Sequence, residues 1–151
     1  MVRSTDALDR DVRLFVYRCI IETGQAPGVE EVGRGLDADA SDVAASFRRL
    51  EADHVWVLAP GTTNLSMPAP FSTVPTPFWV ETGKGSWWGG CVWEAFGIPP
   101  LVGADGTVFT FCPDCNEPME FRIEGGNLQP AGGIVHFAVP ALRWWENIVF
   151  T

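Results

Sequence analysis

Pro68, Pro70, Pro75 and Pro77 fall close together near the middle of this 151-residue sequence. Each proline fixes its own φ and lacks an amide donor, so no helix and no central strand can run through the segment. Residues 68–78 therefore read as a stiff, extended linker. Hydrophobic spacing changes across it, from helical before to strand-like after. The expected organisation is a unit over residues 1–67, the linker over 68–78, and a second domain over 79–151.

In the first unit Leu8, Val12, Phe15, Val16, Cys19 and Ile20 recur at helical spacing and form one apolar stripe. That stripe makes Cys19 a core thiol. Val29, Val32 and Leu36 predict a short second helix. Ser41 is the expected cap of a third helix with Val43, Phe47 and Leu50 inward. His54 to Leu58 and Leu65 to Met67 predict two strands around a turn at Pro60–Asn64. Three helices and a hairpin make a winged-helix-like outline. Charge opposes the DNA-binding role that such an outline suggests. Seven arginines face eleven acidic residues through residue 58, and the whole chain carries a formal charge of −9. Nucleic acid is not an expected partner.

Beyond the linker, Phe78 to Glu81 predicts a strand. Thr82 to Ser86 turns into a helix starting at Trp87, which Pro99-Pro100 ends. Asp105-Gly106 suggests a hairpin between Leu101-Val102 and Val108–Phe111. Cys112 to Pro118 is a tight turn, and Met119 to Ile123 is the returning strand. Glu124 to Gly133 is expected as loop and Ile134 to Val139 as a further strand. A short apolar segment with Trp144 and Trp145 follows. The fold class is α+β: a three-helix, winged-helix-like unit and a small mixed β-sheet domain. No apolar run reaches the length of a membrane span, and the N-terminus has no signal-peptide core. Four cysteines without a disulfide-rich composition point to thiols in a cytoplasmic protein.

The chemistry concentrates in Trp87-Trp88-Gly89-Gly90-Cys91-Val92-Trp93-Glu94-Ala95-Phe96. On a helix, Cys91 and Glu94 share a face about one turn apart. A thiol binds soft metals. A carboxyl in an apolar wall holds its proton more tightly than in water. Trp88, Trp93 and Phe96 are the expected pocket walls, and Cys91 the expected most reactive thiol. On spacing alone, plain core packing of the cysteine with a solvated surface position for the glutamate is the favoured alternative. Cys112-Pro113-Asp114-Cys115 resembles half of a zinc site; a closed structural site needs four ligands. Three readings stay open: zinc at Cys112 and Cys115, completed only if the fold brings His136 and Cys91 close; a reversible redox pair; and a plain tight turn with one cysteine buried.

The run Trp88-Gly89-Gly90-Cys91-Val92-Trp93-Glu94-Ala95-Phe96-Gly97-Ile98-Pro99-Pro100-Leu101-Val102-Gly103 resembles the organomercurial (alkylmercury) lyase family, which carries Cys-x-x-Asp ahead of a similar apolar run. A structural cysteine matching Cys112, a proline matching Pro118, a strand matching Ile134 to Pro140 and the N-terminal unit extend the resemblance over most of the chain. The resemblance implies a core domain of the organomercurial lyase type. It also implies protonolysis of a carbon–mercury bond: Cys91 captures the mercury and Glu94, where the family has Asp, relays the proton. Glutamate adds a methylene, and a misplacement of about 1 Å can cost ~100-fold in rate. The family places a second catalytic cysteine after the segment matching Trp144 to Phe150, where this sequence reads Phe150-Thr151. The expectation is either a truncated form or a short homologue without that thiol. The implied partner is a small-molecule substrate, with mercury as substrate or product and no cofactor required. Oligomeric state is not legible. Two alternatives stay open: a non-catalytic soft-metal or thiol-binding homologue using Cys91, Cys112 and Cys115, and a winged-helix regulator.

Overall fold

The computed structural model describes residues 4–130 and 132–148. Phe150 and Thr151, where the family pattern would continue toward its second cysteine, lie outside the described residues.

Helix α1 spans Thr5–Thr23. The Ser4 side chain accepts the Ala7 N–H at its start, and Gly24 ends it at φ 75°. Its inward face is Val12, Val16 and Ile20, all buried, while Leu8, Phe15 and Cys19 sit half-buried at its edges. Cys19 is thus a boundary thiol rather than a core one. Helix α2, Val29–Leu36, and helix α3, Ala40–Ala52, complete the bundle. Val43, Phe47 and Leu50 point inward as their spacing requires. Asp39, not Ser41, occupies the cap position of α3; its carbonyl accepts the Asp42 and Val43 N–H groups, which places Ser41 already inside the first turn. Arg49 of α3 binds both carboxylate oxygens of Asp9 on α1, locking those helices in register.

Strand β1 is only Val57–Leu58, paired antiparallel with β2, Leu65–Met67. It starts later than the alternation suggests because His54 takes a left-handed φ of 60° and closes the end of α3. Trp56 is then free to sink into the bundle, where its indole N–H donates to the Phe47 carbonyl at 3.0 Å.

Six further strands form the main sheet: β3 Phe71–Ser72, β4 Trp79–Thr82, β5 Gly85–Gly89, β6 Gly106–Phe111, β7 Pro118–Glu124 and β8 Asn127–Gln129. Their order is β3-β5-β4-β6-β7-β8, and every pairing is antiparallel. The mixed sheet expected from the sequence resolves to an antiparallel one because short turns join β4 to β5, β6 to β7 and β7 to β8. Strand β3 lies within the proline-rich segment and pairs with β5.

The expected helix from Trp87 begins later. Trp87 and Trp88 alternate on β5: Trp87 is buried, and Trp88 packs on Trp79 of β4 at 4.5 Å between ring centroids. Helix α4 is Val92–Val102, and it carries Pro99 and Pro100 inside it rather than ending there. Burial of Ile98, Pro99 and Val102 against the sheet offsets the two missing amide donors. Leu101-Val102 is therefore helix, not a hairpin arm. Gly103, at φ 65°, ends α4, and the Lys84 ammonium donates to the Val102 carbonyl at 2.6 Å. Two expectations fail further on. Part of the predicted loop over 124–133 is β8, and residues 134–139 form no strand; most of that stretch is exposed, so alternation there packs against nothing. A 3₁₀ helix, Ala141–Glu146, follows.

The helices and the sheet share one core. Val12, Val16 and Ile20 join Phe71, Val80, Trp87 and Val108 in a continuous buried cluster. The indole N–H of Trp87 donates to the Ile20 carbonyl at 2.8 Å across the junction. Among the described residues no helix is long and apolar enough to cross a membrane.

Candidate active site

Cys91 caps α4. Its backbone is extended, with φ −145° and ψ 176°, and its sulfur accepts the Glu94 N–H at 3.4 Å. The residue therefore stands at the junction where β5 ends and α4 begins. Three residues on, the Glu94 carboxylate turns back over Gly90 beside the thiol, and each group shifts the acidity of the other. The pair shares a face, as the spacing requires, through a cap rather than through helix on both sides.

Two glycines make this closeness feasible. A Cβ at Gly89 would stand 2.8 Å from the Cβ of Ala95, and one at Gly90 would overlap a carboxylate oxygen of Glu94. The first turn of α4 therefore rests on bare backbone, and the carboxylate fills the space that a side chain at residue 90 would occupy.

Burial governs the electrostatics. It pushes the Cys91 thiol up to about 11, with the neighbouring Glu94 carboxylate acting in the same direction against the stabilising Glu94 N–H. Burial also raises Glu94 above the usual carboxylate range, while its hydrogen bonds with Cys91 pull the other way. At neutral pH the thiol keeps its proton, and Glu94 beside it holds its own more tightly than a free carboxyl does.

The pair opens into a groove of about 370 Å³. Trp56, Val57 and Met67 form one wall, Val74 to Pro77 of the proline-rich segment another, and Phe137, Trp144, Trp145 and Ile148 a third. Trp93 stands at its edge, 64% exposed. The Trp144 ring packs on Phe137 at 4.8 Å and its N–H donates to the Val139 carbonyl, while Trp145 stacks on His54 at 4.0 Å. The 3₁₀ helix thus carries two indoles over the cysteine.

Of the expected pocket walls, Trp93 lines this groove and Trp88 and Phe96 do not. Trp88 faces a separate groove with Trp79, Gln25 and Asn64, because β5 puts it on the strand rather than the helix. Phe96 meets Phe121 of β7 edge-on at 5.3 Å. Trp56, Met67, Phe137, Trp144 and Trp145 were not legible as walls.

Cys112 and Cys115 lie on the β6–β7 turn and do not line the Cys91 groove. Cys112 is half-buried and Cys115 exposed. The Cys115 and Asp114 N–H groups and the Cys115 thiol hold Cys112 below its ordinary value. Burial thus leaves Cys91 the less acidic of the two thiols and the turn leaves Cys112 the more acidic. His136 is exposed and outside the groove, and among the described residues no group of three or more His, Cys, Asp or Glu side chains is placed to hold a metal ion.

A family model described as alkylmercury lyase matches residues 71–151. Among solved structures, the mercury-bound form of MerB2 is similar, with a TM-score of 0.59 at 16% identity. The alignment covers 80% of this chain and 65% of that one, so the chain spans just under two thirds of that protein's length. At that identity the likeness is one of fold. No curated protein matches.

Proposed function

The chain belongs to the alkylmercury lyase family, and from that premise we propose that it cleaves the carbon–mercury bond of a small organomercurial in the Cys91–Glu94 groove. The observation that carries the reading is the juxtaposition of two half-buried groups, the Cys91 thiol and the Glu94 carboxyl, joined by the Glu94 N–H on the sulfur and facing an apolar groove.

The steps balance on these two residues. The mercury of R–Hg–X meets the Cys91 sulfur and displaces X⁻. As the S–Hg bond forms, the thiol acidity rises steeply and its proton passes to Glu94. Glu94, already held toward its neutral form by burial, then gives that proton to the mercury-bound carbon. The C–Hg bond breaks, R–H leaves, and Hg²⁺ remains on the Cys91 sulfur for an external thiol to remove. One proton leaves the thiol and one arrives on carbon. Proton transfer by a positioned side chain contributes about 10²–10⁴-fold. An apolar groove suits a hydrocarbon substituent and keeps bulk water from the carboxyl.

The acidic balance of the N-terminal unit and the engagement of Arg49 by Asp9 leave little positive charge for a phosphate backbone, which favours a small-molecule partner over nucleic acid. Mercury binding and hydrocarbon release, measured separately on the same protein with a methyl- or phenylmercury salt, test the reading. Release that vanishes in Cys91→Ser supports it. Mercury capture with no hydrocarbon would leave the chain a soft-metal-binding member of the family.

A further inference from the structure

We infer that Cys112 and Cys115 form a second, two-coordinate site for a thiophilic cation such as Hg²⁺, built into the β6–β7 turn and separate from the Cys91 groove. The turn is closed at both ends. The Cys112 N–H donates to the Glu117 carbonyl and the Asn116 N–H to the Cys112 carbonyl, each at 2.8 Å. Pro113 and the left-handed Asn116, φ 59°, fix the backbone between. Within that frame Cys112 and Cys115 stand three residues apart on one closed turn, near enough that the Cys115 thiol and the Asp114 and Cys115 N–H groups favour the Cys112 thiolate. Two sulfurs held together before the cation arrives lose little freedom on binding it.

The donor set decides the cation class. A structural zinc ion needs four ligands, and no group of three or more suitable side chains is assembled among the described residues. Two thiolates alone suit a soft ion content with two ligands. Each thiol yields its proton to solvent as its sulfur–metal bond forms, so one Hg²⁺ displaces two protons. Strands β5 and β6 run in the same direction on either side of β4, with Trp88, Trp79 and Phe109 in one row. Cys91 and Cys112 each lie three residues beyond that row, so both sites sit at the same end of the sheet.

The test uses the full chain carrying Cys19→Ser and Cys91→Ser, dialysed against Hg²⁺ in excess free L-cysteine. One ion per chain should be retained with the loss of two titratable thiols. Adding Cys112→Ser or Cys115→Ser should weaken retention by about 100-fold, the advantage of a second tethered ligand. Equal retention in the single-thiol variants, or one ion bridging two chains, would overturn the inference. If the double-serine background does not fold, Cys112→Ser/Cys115→Ser in the otherwise wild-type chain must lose one bound ion. With Cys91 absent, the result stands apart from the lyase reading.

Discussion

The Cys91 sulfur accepts the Glu94 N–H at 3.4 Å while the Glu94 carboxylate sits over Gly90 beside it, so one residue meets the sulfur through its backbone and sets its acidity through its side chain. The two roles separate on mutation. Glu94→Gln keeps the backbone donor and the groove and removes the proton carrier. Mercury capture should persist, and hydrocarbon release should fall by about 10²–10⁴-fold. Glu94→Asp, with the family's shorter side chain, should retain release. Equal release from wild type and Glu94→Gln would exclude the relay.

Thiol labelling should follow access and acidity rather than proximity to the groove. At neutral pH a small alkylating reagent should modify Cys115 and Cys112 before Cys91. The Cys91 rate should climb with pH toward a midpoint near 11. Peptide mapping by mass spectrometry across a pH series reads both. Cys91 labelling first at pH 7 would contradict the burial argument.

Gly90→Ala should force the Glu94 carboxylate from its seat. Overpacking of this kind costs about 1–3 kcal/mol. With the carboxylate displaced and the site opened, the Cys91 thiol should move down from about 11 toward its ordinary value. Thiolate absorbance in the ultraviolet followed against pH gives the shift. An unchanged titration would mean that the carboxylate is not held there.

Arg49 holds Asp9 below the usual carboxylate range. A depressed native value means that the unfolded chain takes up the proton first on acidification. The contribution is therefore full above the unfolded value of 3.8 and is lost as pH falls through the native one. Asp9→Asn should lower stability by about 0.5–1 kcal/mol at neutral pH, with the difference from wild type vanishing in acid. Urea melts at neutral and acidic pH measure it.

The helical stripe of α1, the return strand at Leu65–Met67 and the β6–β7 turn were legible because each has a strong local cause: apolar periodicity, alternation, or prolines flanking a turn. The junction around Cys91 was half legible. Cys-x-x-Glu spacing brings the two side chains together, but the indoles of Trp87 and Trp88 read equally as helix or strand until the pairing with Val80 and Trp79 decides. Pro99-Pro100 misled because local cost was weighed without the burial that opposes it. The groove walls were illegible: Trp56, Met67 and Trp145 meet Cys91 only through the tertiary fold, and no local pattern encodes that meeting.

The pairing of Phe71–Ser72 with β5 has a practical bearing on how this protein is divided for study. A fragment begun at residue 79 would discard that edge strand, the Val74–Pro77 wall and the Trp56–Met67 wall together, leaving Cys91 and Glu94 open to water on those sides. Such a fragment would carry both reactive groups with only the wall of Phe137, Trp144, Trp145 and Ile148 left beside them. Recombinant boundaries that preserve the chemistry must therefore fall upstream of Trp56, and the helices come with them.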